Sequence, residues 1–339
     1  MAPTGATGKV FAVTLSPEVE VPFEGDDIVN DYIARYSNWG RWGADDELGT
    51  LNHVGPEQVV AAAQLVRQGK VISLTMPYNL RGPQTGDIRA NPLNVMTATG
   101  TDYMMGAQNV LPGDLGDAKG FGYADDVLLM PNQAGSQWDA LAHIFWRGRM
   151  YNGYSAGVVT AQGAQRCGIE KHRETFVMRG VLLDVARHHG VASLEPGYAI
   201  TADDLDRTAT AQGVEVSKGD CVIVRTGMLE ERRGQWGDYN GGPAPGLSLH
   251  TAPWLYEHDV AAIATDTWGA EVRPNEVDVF QPLHIVALVH MGIPFGEIWD
   301  LEAISNDCAQ DGVYEFLLSA PPLPITGAVG SPLNAVAVK

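Results

Sequence analysis

Residues 133–143 read Gln-Ala-Gly-Ser-Gln-Trp-Asp-Ala-Leu-Ala-His, directly after the apolar run Val-Leu-Leu-Met-Pro at 127–131. The run predicts a buried strand leading straight into a polar segment. That segment holds carboxamides at Gln133 and Gln137, a hydroxyl at Ser136, a carboxylate at Asp139 and an imidazole at His143. A single histidine is usually a surface residue or a satisfied core residue, and the chain has nine. His188 and His189 stand beside Gly190 and read as a solvated turn, while His250 and His258 read as structural. His143 differs because it closes a segment already dense in polar groups.

Outward from this segment, short apolar strands alternate with helices. Residues 70–76, 180–186, 221–227 and 260–267 read as strands, and 282–293 as a helix. Residues 56–69 predict a helix that opens on Pro56 and stops at Gly69. Residues 201–213 predict another, with a Thr201 cap and acids in the first turn. This interleaving argues an α/β fold around a mostly buried mixed sheet. Residues 1–54 read as an irregular N-terminal arm rich in Trp, Gly and acid. Residues 79–127 carry few periodic signals, and so long an irregular insertion in a compact protein is expected to cover or serve a site.

Composition narrows the function classes. Lys plus Arg number 22 against 41 Asp plus Glu, a net charge of −19. Nucleic-acid binding and anionic membrane surfaces both call for clustered cations, and none occur. No apolar run of about 18 residues is present to span a membrane. The three cysteines, Cys167, Cys221 and Cys308, are widely spaced and suggest neither a disulfide framework nor a zinc knuckle. The start of the chain has no cationic stretch followed by an apolar core, so the expectation is a cytoplasmic protein acting on a small molecule. Glycine-rich phosphate loops and nucleophile elbows are absent as motifs.

The spacing Gln-x-Gly-Ser-Gln-x-Asp-x-Leu-x-His resembles the motif His-x-Gly-Thr-His-x-Asp-x-Pro-x-His of the cyclase family that includes bacterial kynurenine formamidases and isatin hydrolases. Residues 42–52, 179–186, 282–301 and 321–332 resemble further family segments, so the likeness runs over roughly 35–339. It implies a swivelling β/β/α fold, with a central mixed sheet or barrel, peripheral helices and one catalytic domain over 55–339. It also implies a dimer or tetramer. By register, Gln133 and Gln137 stand at metal-ligand histidine positions, Asp139 at the bridging aspartate and His143 at the proton-exchanging histidine. His284 and Glu297 fall on the remaining ligand positions.

A carboxamide oxygen is a weaker and harder donor than imidazole, so the two glutamines should leave one divalent ion, Mn²⁺ or Zn²⁺ with Mg²⁺ as a further candidate, or none. The implied activity is hydrolysis of a small cyclic or acylated amide or ester. The alternatives are a metal-free lyase, cyclase or isomerase using Asp139 and His143, and a non-catalytic binding protein. Trp138, Ser136, Asp266 and Trp268 are the expected substrate contacts, with Glu271 a further candidate beside the site.

Overall fold

Strands buried on both faces read as unbroken apolar runs, and three such runs, at 180–183, 221–224 and 260–264, lie side by side here. The computed structural model describes residues 27–111, 113 and 115–339. Its main sheet has nine strands: β1 (Val71–Ser73), β2 (Gln137–Asp139), β3 (Val177–Asp184), β4 (Cys221–Arg225), β5 (Ala262–Thr265), β6 (Phe295–Glu297), β7 (Glu315–Ser319), β8 (Gly330–Pro332) and β9 (Val336–Val338). Their spatial order is β1-β9-β7-β3-β4-β5-β6-β2-β8. Strands β3 to β6 are parallel to their neighbours, and the flanking strands on both sides pair antiparallel. The result is a large mixed sheet curled into a half-barrel, the α/β architecture expected from the sequence.

Alternation divides the side chains of the parallel strands between two cores. Val181, Leu183, Val222, Val224, Ile263 and Phe295 point to one face. Leu182, Cys221, Ile223, Ala262 and Ala264 point to the other, where Trp138 and Trp299 join them. On the first face lies a wide-turned π-helix, His284–Met291, with all eight residues buried. Widened turns of this kind recur at functional sites. Gly292 ends the helix in the left-handed region (φ 76°), and its carbonyl accepts from Thr50 N at 2.9 Å. The motif at 42–52 is thereby tied to the helix that carries His284.

Three expectations need correction. The strand foreseen at 127–131 spans Asp125–Leu129, pairs only with Leu93–Ala98, and is exposed rather than buried. Its apolar residues project from a two-stranded ribbon that the main sheet does not cover. The strand foreseen at 70–76 is confined to Val71–Ser73 at the sheet's edge. The N-terminal arm is not irregular throughout, because Asp27–Tyr36 is a helix burying Val29, Tyr32 and Tyr36 against the first core. Residues 1–26 of that arm lie outside the described residues. The capped helix at 202–212 forms as expected, with Thr201 Oγ accepting from Asp204 N.

Candidate active site

Strand register assembles the polar cluster. Glu297 of β6 sits opposite Gln137 of β2, and Asp139 lies two residues along β2. Side chains alternate at a period of two, so Gln137, Asp139 and Glu297 share the face that also carries the π-helix. His284, at that helix's first turn, meets them there. One donor atom each from Asp139, His284 and Glu297 falls within 4.8 Å of the others, and all three residues are buried.

The hydrogen bonds show how tightly each is held. His284 Nδ1 lies 2.5 Å from Glu271 Oε1, which also accepts from His284 N at 3.0 Å. The other oxygen of Glu271 accepts from Leu283 N at 3.1 Å and Asn275 Nδ2 at 3.2 Å. A carboxylate behind the ring fixes its orientation and directs Nε2 forward. Nε2 meets Glu297 Oε1 at 3.3 Å, while Gln137 Nε2 donates to Glu297 Oε2 at 2.8 Å. His143 stands at the edge, its Nε2 3.7 Å from Asp139 Oδ1.

Three buried carboxylates (Asp139, Glu271 and Glu297) surround one imidazole, and the titration behaviour reflects that surplus. Burial raises Asp139 to about 6, opposed by His143 and reinforced by Glu297. Burial alone would depress His284, but the hydrogen bonds and charges of Glu271 and Glu297 outweigh it and lift it to about 10. Both groups therefore keep their protons to a higher pH than they would in water. Burial pushes His143 below the usual histidine value of 6.5, with Asp139 opposing the shift. Gln137 Oε1 is buried and has no hydrogen-bond partner. Two acidic donors and a pre-oriented imidazole fit a divalent cation in charge and donor type, whereas Gln137 turns its N–H groups toward both carboxylates.

A cavity of about 290 Å³ opens onto Asp139, His143, His284 and Glu297, and Arg89, Trp268 and Arg273 also line it. Backbone strain gathers around it. Ala270, Gln281 and Ile298 adopt φ of 54°, 50° and 57°, next to or close to Glu271, His284 and Glu297. For β-branched Ile298 such a conformation is a genuine outlier, of a kind that recurs at functional sites.

The chain matches the family model described as "Putative cyclase" over residues 49–272. This chain belongs to the cyclase family. A crystal structure described as a novel cyclase is 38% identical, with a TM-score of 0.81, covering 91% of this chain and 99% of its own. Isatin hydrolase A from Labrenzia aggregata, bound to benzyl benzoate, is 18% identical at a TM-score of 0.56, covering 83% of this chain and 97% of its own. Isatin hydrolase A from Ralstonia solanacearum is 19% identical at 0.55, covering 84% and 97%. At such identities these two show the shared cyclase fold. No curated protein matches the chain significantly.

Not every foreseen site residue of this cyclase-family chain reaches the cavity. Trp138 lies between Gln137 and Asp139 and so points to the opposite face. It is fully buried there, stacked on Phe176 with centroids 4.2 Å apart, with Nε1 donating to Ala320 O. A Cβ on Gly296 would lie 2.8 Å from its ring, so the glycine makes room for it. The expectation of a substrate contact is corrected by that alternation. Ser136 is likewise buried, tying Met76 N to Ile298 O. Asp266 is buried and accepts from Thr226 N, Thr226 Oγ1 and Gly227 N, which makes it a strut for the turn after β4. Trp268 does line the cavity. Gln133 abuts Gly330, the residue paired with Asp139, and its Nε2 has no partner.

Sequence reading missed Arg89 and Arg273. Each is an isolated cation in a segment without periodicity, and only the tertiary structure brings both to one cavity. The insertion at 79–127 does cover the site, since it contributes Ile88 and Arg89 to the wall.

Proposed function

We propose that this cyclase-family protein is a metal-assisted hydrolase of a small cyclic or acylated amide or ester. The reading rests on the buried Asp139–His284–Glu297 set, with His143 beside Asp139 at the same cavity. Those three residues would hold one divalent ion, Mn²⁺ or Zn²⁺ by donor type. When bound, the ion supplies Lewis-acid polarisation of a carbonyl and lowers the pKa of water. Glu271 keeps Nε2 of His284 facing inward and sets its tautomer. The lowered pKa of His143 leaves its imidazole neutral near pH 7, able to take a proton at Nε2 and return it to the leaving nitrogen or oxygen. Arg89 adds positive charge beside Asp139 and His143.

The metal-free lyase, cyclase or isomerase reading draws on one observation, the 3.7 Å approach of His143 Nε2 to Asp139 Oδ1 at a carboxyl that burial raises, which would let that pair exchange a proton. Elemental analysis of tag-free protein, paired with turnover of lactone, lactam and formamide panels before and after chelation, tests both. Near one ion per chain and chelator-sensitive hydrolysis are expected. Full activity without metal would select the second reading.

A further inference from the structure

We propose that Arg273 is the specificity residue of this cavity and that the substrate carries a carboxylate, which Arg273 binds at the rim while the scissile bond lies at Asp139 and His143. The inference rests on the reading of this cavity as the reaction site and extends it to the substrate's chemistry.

Arg273 follows Glu271 by two residues, so the segment that orients His284 also presents the guanidinium. Its backbone is fixed, exchanging two hydrogen bonds of 2.9 Å with Ala244. Its guanidinium lies 5.5 Å from the Trp268 ring centroid and 4.5 Å from that of Phe280. Contacts with both rings restrain it while leaving its edge open. Nη1 donates to Asn275 Oδ1 at 3.0 Å, a neutral acceptor.

Many other arginines of this acid-rich chain find acids, although Arg89 at the same cavity finds none among the described residues, its Nη1 donating to the Gln133 carbonyl. Arg225 pairs with Asp184 and Glu302, and Arg233 with Glu230 and Asp300. Among the described residues, Arg273 has no carboxylate within ion-pair distance. A guanidinium offers five N–H donors in a fork matched to a carboxylate, so a residue that lines the cavity keeps most of its donor capacity unused by the protein.

A second feature describes the rest of the ligand. A groove of about 480 Å³ continues from His143 and Phe280 along Phe145, Trp146, Val279 and Ile285. Its walls are mostly apolar or aromatic, with Asp278 and Gln281 as the polar members beyond His143, and the apolar stretch suits an apolar body attached to the anionic group.

Phenylacetate and its neutral isostere phenylacetamide are the probes, titrated calorimetrically into the full chain with and without added Mn²⁺. Wild type should prefer phenylacetate by about ten- to a hundredfold, the range of one charge-assisted contact. R273Q should erase the preference and R273K restore part of it, with unchanged melting temperature. The preference should survive chelation. Equal binding of the two probes by wild type, or an undiminished preference in R273Q, overturns the proposal. A preference lost on chelation but kept in R273Q assigns the carboxylate to the ion, which overturns the role of Arg273 and leaves metal-assisted hydrolysis standing. A preference that tracks Arg273 in protein without metal or turnover supports the anion site while refuting the hydrolase reading.

Discussion

His284 and Gln137 approach Glu297 from opposite sides, one from the π-helix and one from strand β2. His284 is braced from behind by Glu271 and presents Nε2 to one oxygen of Glu297. Gln137 presents an N–H to the other oxygen and leaves its own Oε1 without a partner. The first side is pre-oriented to donate a lone pair to a cation. On the second, a carboxamide donates a hydrogen bond where the family motif has a ligating histidine. Two side chains contacting one carboxylate thus differ in what they can do for an ion, and the difference lies in the groups behind them as much as in their own chemistry.

The largest effect should come from dismantling the braced side. His284→Ala removes a donor and leaves Glu271 and Glu297 buried without it. Bound metal should fall from about one ion per chain to none, and turnover by about a thousandfold or more, since Lewis-acid stabilisation is worth several kcal/mol. Metal retained at full occupancy would show that the other side holds the ion.

His143→Ala should lower kcat by about two to four orders of magnitude with an unchanged circular-dichroism spectrum, as expected for loss of a general acid–base. In wild type, the acid limb of the pH–rate profile should lie below 6.5, because burial disfavours the imidazolium. A limb above 6.5 would contradict the assignment.

Glu271→Gln tests the brace alone. Metal affinity should fall by about 10- to 100-fold, the usual cost of removing such a supporting carboxylate. If affinity is unchanged, backbone packing of the π-helix suffices to aim His284.

Converting the weaker side, by Gln133→His with Gln137→His, should raise zinc affinity and allow a second ion, with Asp139 and Glu297 between the two. Stoichiometry by elemental analysis reads this directly. A double variant that still binds one ion at wild-type affinity would mean that the glutamines are not what limits the site.

The smallest effect on chemistry should follow Trp138→Phe, although its neighbours in sequence, Gln137 and Asp139, both face the site. The change orphans the Ala320 carbonyl in the core, costing about 1–3 kcal/mol of stability by denaturant titration. Turnover should be unchanged. A selective loss of turnover at unchanged stability would put Trp138 back beside the substrate.

The family motif marked most of the candidate acid–base and ligand residues, because such roles depend on residue type and spacing, which a linear pattern records. Asp139, His143, His284 and Glu297 converge as that pattern implies. The apolar runs at β3, β4 and β5 were equally legible, since burial on both faces forces continuous hydrophobicity. Face was harder to read. Trp138 was misjudged from adjacency along the chain, although alternation sends neighbouring strand residues to opposite sides. The run at 127–129 looked core-like by composition, yet its strand pairs only with Leu93–Ala98 and stays exposed.

By itself the sequence determined the α/β class, the family, and the types of group available for chemistry, because these depend on composition, periodicity and spacing within short segments. The tertiary structure alone decided which of those groups meet. Glu271 reaches His284 because its loop leads into the π-helix, and it holds that ring at 2.5 Å. Arg89 and Arg273, separated by most of the chain, line one cavity because the insertion folds over the end of the sheet. Partners so distant in sequence leave no local pattern, since their contact depends on how every intervening element packs.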